Sequence, residues 1–120
     1  MINTVLVANR GEIACRILRA CTEAGLESIA IYAHNDAGSM FTELATVAIP
    51  LEGETIAETY LNQEQIIAIA ASHGADAIHP GFGFLSERAD FARAVIDAGI
   101  NWIGPSPKAC LLYTSPSPRD

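Results

Sequence analysis

The feature that most constrains the fold is a junction that occurs three times along the chain. At each junction an amphipathic segment ends at a glycine, and an apolar run begins directly afterwards. The three junctions are Ala24-Gly25-Leu26, Gly74-Ala75 and Ala98-Gly99-Ile100. Glycine closes helices well because it adopts left-handed backbone conformations at little steric cost. The repeat therefore predicts helices that alternate with strands, the pattern of a parallel sheet covered by helices.

Hydrophobic periodicity assigns the elements around these junctions. Five apolar runs are typical of buried strands: residues 4–8, 28–32, 46–49, 75–79 and 100–103. Three segments carry apolar side chains at helical spacings: residues 11–24, 62–74 and 87–98. Asn62 with Gln65 forms a capping-box pattern at the start of the second of these helices. Residues 34–41 and 51–61 are expected to be loops. The predicted fold class is therefore α/β, a Rossmann-like open and mostly parallel sheet with helices on both faces. The connections between its parallel strands should be right-handed.

Composition excludes several classes of function. Half of the 120 residues are apolar, which suits one packed domain, and the formal net charge of −7 lacks the basic footprint of nucleic-acid binding. We see neither a membrane-spanning run of about 20 apolar residues nor the features of a signal peptide. Cys15, Cys21 and Cys110 lack metal-ligand spacing, as do the histidines, so we predict no metal site and reduced thiols in a cytoplasmic protein. Cys15 and Cys21, six residues apart, should point to different faces of their helix.

Asn9-Arg10-Gly11-Glu12 follows the first strand, at the edge of an open α/β sheet where ligands bind. Asn9 and Glu12 also match a capping box, and Gly11 allows close helix–strand packing, so we favour a structural role. The loop is not G-x-G-x-x-G, and a dinucleotide fingerprint is therefore absent. For the same reason Asp36, after the second strand, is interpreted as a loop residue rather than a ribose ligand.

A second unusual loop follows the fourth strand, where Gly81 and Gly83 flank Phe82. Two interpretations stay open. The loop is either a tight strand-to-helix turn with Phe84 and Leu85 packed inward, or the rim of a binding pocket. His79, which precedes it, is expected to be a packed and hydrogen-bonded residue.

The first helix carries a charged stripe opposite its apolar face. Its members lie four, three and four residues apart: Glu12, Arg16, Arg19 and Glu23. From spacing alone this is a solvated face, stabilised weakly by intrahelical pairs such as Arg19 with Glu23.

Two motifs carry a family resemblance. Residues 5–14 (Val-Leu-Val-Ala-Asn-Arg-Gly-Glu-Ile-Ala) and 79–87 (His-Pro-Gly-Phe-Gly-Phe-Leu-Ser-Glu), with the close at residues 104–107 (Gly-Pro-Ser-Pro), resemble the first domain of biotin carboxylases. These are the ATP-dependent subunits of acetyl-CoA, propionyl-CoA and pyruvate carboxylases. The resemblance covers residues 5–107 and implies a ligase in which ATP and bicarbonate carboxylate carrier-bound biotin, with Mg²⁺ or Mn²⁺. It implies as partners a biotin carboxyl carrier, a carboxyltransferase and a second copy of the chain, and it leaves the final carboxyl acceptor open.

The resemblance also implies roles for particular residues. It places Gly81, Phe82 and Gly83 on the biotin side of the active site, with phenylalanine where the family often has tyrosine. Arg16, Arg19 and Glu23 match the positions of a dimer contact. The catalytic groups of the family lie downstream, so we expect no catalytic residue here and no activity from this chain alone.

The character of the chain changes near its end. We expect a domain over residues 1–108 and an atypical tail over residues 109–120, where two Ser-Pro pairs oppose helix formation. We interpret the tail as disordered or foreign sequence from about Cys110, on an incomplete reading frame; the alternative is a natural disordered terminus.

Three other classes share the alternating pattern. They are another ATP-grasp ligase, a nicotinamide dehydrogenase fragment and a receiver-like signalling module. The residues at the strand ends, Asn9 and His79, and a single lysine, Lys108, disfavour the signalling module.

Overall fold

The structure, a computed structural model, describes residues 2–104. Within that range the predicted alternation is confirmed. The strands are Thr4–Val7 (β1), Glu27–Tyr32 (β2), Val47–Pro50 (β3), Ala77–His79 (β4) and Asn101–Trp102 (β5). The helices are Gly11–Glu23 (α1), Met40–Leu44 (α2), Gln63–Ser72 (α3) and Ala89–Asp97 (α4). The predicted domain boundary at residue 108 and the tail lie outside the described residues.

All strand pairs in the sheet are parallel, in the order β3-β2-β1-β4-β5. The chain starts at the centre, moves outward through β2 and β3, and returns to place β4 beside β1. In open sheets of this kind, the reversal of strand order opens a crevice at the carboxyl ends of the two central strands. The topology therefore marks the edge formed by β1 and β4 as the place to look for a site.

The sheet is covered on both faces, as predicted. Alternate residues of β1 face opposite sides: Val5 and Val7 pack with α1 and α2, whereas Leu6 packs with α3 and α4. Each side therefore forms its own apolar cluster, and both clusters contain residues of the central strands. This alternation follows from the two-residue period of a strand, which sends successive side chains to opposite faces.

The three glycine junctions close their helices as expected. Gly25, Gly74 and Gly99 all have positive φ, between 70° and 81°. The residue after each glycine donates its backbone N–H to a carbonyl five residues earlier, as in Leu26 N to Cys21 O at 2.8 Å. These are Schellman caps, so the repeated sequence junction corresponds to a repeated local structure.

Several local predictions need correction. Residues 34–41 were expected to be a loop but contain a 3₁₀ turn, His34–Asp36, and the start of α2, whose Phe41 is buried. Segments this short carry no periodicity that a sequence pattern can reveal. Cys15 and Cys21 do not lie on different faces: both are buried in the same cluster, because the buried sector of α1 is wide.

The capping box at Asn62 is confirmed in one half only. The Asn62 side chain accepts a hydrogen bond from Gln65 N at 3.1 Å, as an N-cap should. The Gln65 side chain instead accepts from Glu52 N at 2.6 Å and donates to Glu52 O at 3.1 Å. It therefore ties the preceding loop to α3.

No helix within residues 2–104 has the length and apolar character that crossing a bilayer requires.

Candidate functional site

The carboxyl ends of β1 and β4 lie side by side, because the two strands pair in parallel with Val7 opposite His79. The two loops singled out in the sequence therefore meet at one edge of the sheet. One contains Asn9-Arg10-Gly11-Glu12 and the other Gly81-Phe82-Gly83. We call residues 9–12 and 80–84 together the switch-point loops.

The Asn9 side chain joins the switch-point loops. It is buried, and its Nδ2 donates to Pro80 O at 2.8 Å and to Phe82 O at 2.7 Å. Its Oδ1 accepts from Arg10 N at 2.8 Å. The predicted capping box of Asn9 with Glu12 is therefore wrong: the N-cap of α1 is Arg10, which makes no side-chain cap. The Asn9 oxygen, the only atom of that side chain able to cap a helix N-terminus, accepts from the adjacent Arg10 N instead, while Nδ2 makes the contacts across the sheet edge.

Gly81 fits this junction closely. Its φ is +69°, and a Cβ there would lie 2.8 Å from Asn9 Nδ2 and 2.8 Å from Ile13 Cγ2. Both distances are shorter than van der Waals contact permits, so a side chain here would displace the Asn9 and Ile13 side chains or the loop itself. The close approach of the two loops thus requires glycine at this position.

Of the two interpretations of the second loop, the structure tests only the inward packing, and the binding-pocket interpretation stays a prediction. Leu85 is fully buried, and Phe84 stacks on Tyr60 with ring centroids 5.3 Å apart, so the inward packing of residues 84 and 85 is confirmed. Phe82 is 74% exposed, although Asn9 holds its carbonyl. A fixed backbone therefore presents an unpacked aromatic ring at the sheet edge.

A buried carboxylate connects the first switch-point loop to the loop after β2. Arg10 donates to Asp36 Oδ2 through Nε at 2.6 Å and to Asp36 Oδ1 through Nη2 at 2.5 Å, which makes a bidentate ion pair. The Tyr60 hydroxyl donates to Asp36 Oδ2 at 2.6 Å and accepts from Ala33 N at 3.0 Å. The guanidinium also lies 5.8 Å from the centroid of the Tyr60 ring, within cation–π range. Because Tyr60 stacks on Phe84, the network reaches both switch-point loops.

The pKa shifts in this network keep each of its groups in one protonation state at neutral pH. The hydrogen bonds from Arg10 hold the pKa of the Asp36 carboxyl below its usual range, and those to Asp36 raise the pKa of the guanidinium. Burial, followed by the hydrogen bond to Asp36, raises the pKa of the Tyr60 phenol. At neutral pH the site therefore contains a carboxylate, a guanidinium and a neutral phenol.

Sequence reasoning treated Asp36 as a loop residue and did not single out Tyr60. The usable signal was an acidic residue after β2 and an arginine after the neighbouring β1. Parallel strands bring such residues to the same edge. Tyr60 gave no signal of this kind, because its partners lie 24 and 27 residues away in the sequence.

The lowered pKa of Asp36 predicts a loss of stability in acid. A carboxyl group whose pKa is lower in the folded state stabilises the fold fully above its unfolded pKa of about 3.9, and loses that effect as the pH falls through the folded value. We expect the free energy of unfolding of the wild type to exceed that of Asp36→Asn at pH 7, and the difference to shrink below about pH 4. Urea denaturation of both proteins at pH 7 and pH 3 measures this. A difference that is the same at both values contradicts the prediction.

The His79 side chain holds the backbone of the second switch-point loop through a hydrogen bond. It is half-buried, and its Nδ1 accepts a hydrogen bond from Gly81 N at 3.1 Å. Burial lowers its pKa, which favours the neutral ring that this hydrogen bond needs. The expectation of a packed, hydrogen-bonded histidine is confirmed.

The charged stripe of α1 lies on the exposed side of that helix. Arg16 Nε is 3.9 Å from Glu12 Oε2, and both side chains are about three-quarters exposed, so this pair stabilises little. The expected pair of Arg19 with Glu23 does not form within the described residues. Arg19 Nη2 instead lies 3.6 Å from Met40 Sδ on α2. The dimer contact that the resemblance implies for Arg16, Arg19 and Glu23 stays a prediction.

The residues of the site suit some ligands and not others. In the part of the chain that the structure describes, no three His, Cys, Asp or Glu side chains converge as metal ligands. The one guanidinium in the switch-point loops is already paired with Asp36. The exposed Phe82 ring suits contact with a flat, largely apolar group.

Comparison with known proteins gives a consistent picture. Residues 1–110 match the family model of the biotin carboxylase N-terminal domain. The chain is 58% identical over 105 residues to the biotin-dependent acyl-coenzyme A carboxylase alpha3 subunit of Mycobacterium leprae, covering 88% of this chain and 18% of that protein. It is 51% identical over 108 residues to mitochondrial pyruvate carboxylase of Rattus norvegicus, covering 89% of this chain and 9% of that protein.

A solved structure shows the same fold. It is the biotin carboxylase domain dimer of Hydrogenobacter thermophilus 2-oxoglutarate carboxylase, in complex with MgADP, ADP and bicarbonate. The TM-score is 0.88 at 46% identity, over 93% of this chain and 24% of that one. The chain thus spans less than a fifth of the length of the two curated relatives and about a quarter of the solved domain.

Proposed function

The chain belongs to the biotin carboxylase N-terminal domain family, and we propose that it is the opening domain of a biotin carboxylase. The longer enzyme would use ATP and bicarbonate to carboxylate biotin on a carrier protein. It would work within an acyl-CoA or keto-acid carboxylase. Relatives named as an acyl-CoA carboxylase subunit and a pyruvate carboxylase support this assignment.

The observation that carries the proposal for this domain is the presentation of Phe82. Its ring is 74% exposed at the switch point, while Asn9 fixes its carbonyl and His79 fixes the amide of Gly81. We propose that this ring forms one apolar wall of the biotin pocket. Biotin, when bound, supplies the nitrogen that receives the carboxyl group. The residues of this chain would position its ring and shield one side of it from water.

ATP and its metal ion belong to the remainder of the proposed enzyme. The described residues converge on no metal site, and the Arg10 guanidinium is engaged by Asp36. We therefore assign no step of phosphate chemistry to this chain.

The proposed partners are a biotin carboxyl carrier, a carboxyltransferase and a second copy of the enzyme. The exposed α1 residues Arg16, Arg19 and Glu23 would lie at the contact between copies. The related domain from Hydrogenobacter thermophilus, described as a dimer, supports that part of the proposal. The two buried free thiols suit a reducing compartment, and we propose the cytoplasm.

The proposal predicts an effect of Phe82 on biotin in the full-length enzyme. Replacement by alanine removes the apolar wall, and we expect the KM for free biotin to rise about threefold to tenfold, the factor that corresponds to roughly 1 kcal/mol of lost contact. Phe82→Tyr retains the ring, so its KM should stay within about twofold of the wild type. Biotin-dependent ATP hydrolysis with bicarbonate measures both values.

Ile96→Ala is the matched control, because Ile96 is also an exposed apolar residue but lies on α4. It should leave the KM for biotin unchanged. An unchanged KM in Phe82→Ala would remove Phe82 from the biotin pocket. The 120-residue chain itself should show no biotin-dependent ATP hydrolysis, and turnover by the purified chain would contradict the assignment of catalysis to the rest of the enzyme.

A further inference from the structure

The loop that presents Phe82 is held by different means on its two sides. Before the ring, the side chains of Asn9 and His79 bind the backbone of the loop. After the ring, Gly83 is exposed and has no side chain, so Phe84 is the first residue whose side chain can anchor the loop to the protein. The second side of the loop therefore depends on Phe84.

Phe84 adopts a backbone conformation that residues of its type avoid. Its φ is +46°, and within residues 2–104 it is the only residue other than glycine with a positive φ. In this region the Cβ of an L-residue crowds the following carbonyl oxygen, and a bulky side chain is a clear outlier. Such a conformation persists only where surrounding contacts enforce it, and it is concentrated at functional sites. A contact must therefore hold Phe84 in this conformation.

The contact in question is the stack of Phe84 on Tyr60. The ring centroids are 5.3 Å apart, and the ring planes are within 23° of parallel. Tyr60 lies on the segment between β3 and α3 and is only 1% exposed, so its ring is enclosed. Its hydroxyl is fixed by two partners, Asp36 Oδ2 at 2.6 Å and Ala33 N at 3.0 Å. Tyr60 thus gives Phe84 a rigid surface to stack on.

We infer that Tyr60 is a positioning residue of the biotin pocket, because through Phe84 it fixes the second side of the loop and hence the place of the Phe82 ring. The inference rests on the proposed role of Phe82 in biotin binding. Tyr60 is itself too deeply buried to form part of the pocket wall. Its effect on biotin must therefore pass through Phe82, which makes that effect separable from a general effect on stability.

A double-mutant cycle in the full-length enzyme tests the inference. Tyr60→Leu removes the stack, and we expect the KM for free biotin to rise about threefold to fivefold, because the Phe82 ring is displaced but not deleted. Tyr60→Phe retains the stacking ring, so its KM should stay within about twofold of the wild type. The double variant of Tyr60→Leu with Phe82→Ala should have the KM of Phe82→Ala alone, because no ring is left to position. The KM for ATP should be unchanged in every variant.

Phe41→Leu is the matched control. Phe41 is also an aromatic residue with 1% exposure, but it packs on the opposite face of the sheet from Tyr60. It should leave the KM for biotin unchanged.

Chymotrypsin gives a second readout on the same preparations, and this readout does not involve biotin. The protease cuts after large apolar residues, and cleavage after Phe82 or Phe84 requires local opening of the loop. We expect this cleavage to be about tenfold faster in Tyr60→Leu than in the wild type or in Phe41→Leu, because the loop has lost a buried aromatic contact. Mass spectrometry of the fragments identifies the cleaved bonds.

Three results overturn the inference. They are a wild-type KM for biotin in Tyr60→Leu when Phe82→Ala raises it, full addition of the two effects in the double variant, and loop cleavage no faster in Tyr60→Leu than in Phe41→Leu. If Phe82→Ala itself leaves the KM unchanged, the proposed pocket is refuted, and the cleavage rates still decide whether Tyr60 holds the loop. Failure of this inference and failure of the proposed function are therefore distinguishable.

Discussion

Replacing Gly81 with alanine is expected to lower the free energy of unfolding by about 2–5 kcal/mol. Two penalties add. The residue has φ of +69°, a conformation that costs an L-residue about 1–2 kcal/mol. The new Cβ would also lie 2.8 Å from both Asn9 Nδ2 and Ile13 Cγ2, and overpacking of that kind costs about 1–3 kcal/mol. Urea denaturation of the purified chain measures the sum.

Gly83→Ala separates the two penalties. Gly83 has nearly the same φ, +72°, but a Cβ added there would meet no atom within 4 Å beyond its immediate chain neighbours. Only the conformational cost of about 1–2 kcal/mol therefore applies. The excess loss in Gly81→Ala reports the collision with Asn9 and Ile13. Equal losses in the two variants would show that the structure relieves the collision with Asn9 and Ile13 without cost.

The second large effect is expected for Asp36→Ala, with a loss of about 3 kcal/mol in the free energy of unfolding. The substitution leaves the buried Tyr60 hydroxyl without its acceptor and the Arg10 guanidinium without its partner. Breaking a buried ion pair on one side costs about 3–5 kcal/mol. The low end applies because the Arg10 side chain is 45% exposed and can return to water.

Asp90→Ala is the matched control for this prediction. Asp90 also pairs with an arginine, Arg88, at 2.9 Å, but both side chains are at least half exposed. Exposed pairs contribute about 0–1 kcal/mol, so the control should lose no more than that. Urea denaturation of both variants gives the comparison. Similar small losses in the two would mean that the Arg10–Asp36–Tyr60 network does not stabilise the fold.

These predictions concern one structural unit. Asn9 fixes the backbone around Phe82, Gly81 permits the close approach, and Asp36 connects Arg10 to Tyr60, whose ring supports Phe84. Damage to either connection should therefore loosen the loop that presents Phe82. In the full-length enzyme, we expect variants of Gly81 and Asp36 to affect biotin binding through the position of this loop.

The sequence by itself determined the five strands, the three longer helices and their arrangement as an open parallel sheet. The reason is that these depend on short-range signals: apolar periodicity within each segment, and glycines that close three helices with the same hydrogen-bond pattern. The two loops of the site were identifiable for a similar reason, since their unusual residues follow predicted strands directly. The short α2 escaped detection because five residues are too few to show a period.

Only the tertiary structure decided what the polar residues of the site do. Asn9 looked like a helix cap, but the acceptors of its Nδ2 lie 71 and 73 residues away, after a strand that becomes its neighbour through the sheet topology. Asp36 looked like a loop residue, yet it binds Arg10 and Tyr60, which are 26 and 24 residues distant. Local periodicity reports which face of an element is buried. The partner of a polar atom depends on which chain segments meet in space. Those segments are far apart in the sequence, so a short stretch of sequence does not contain both partners.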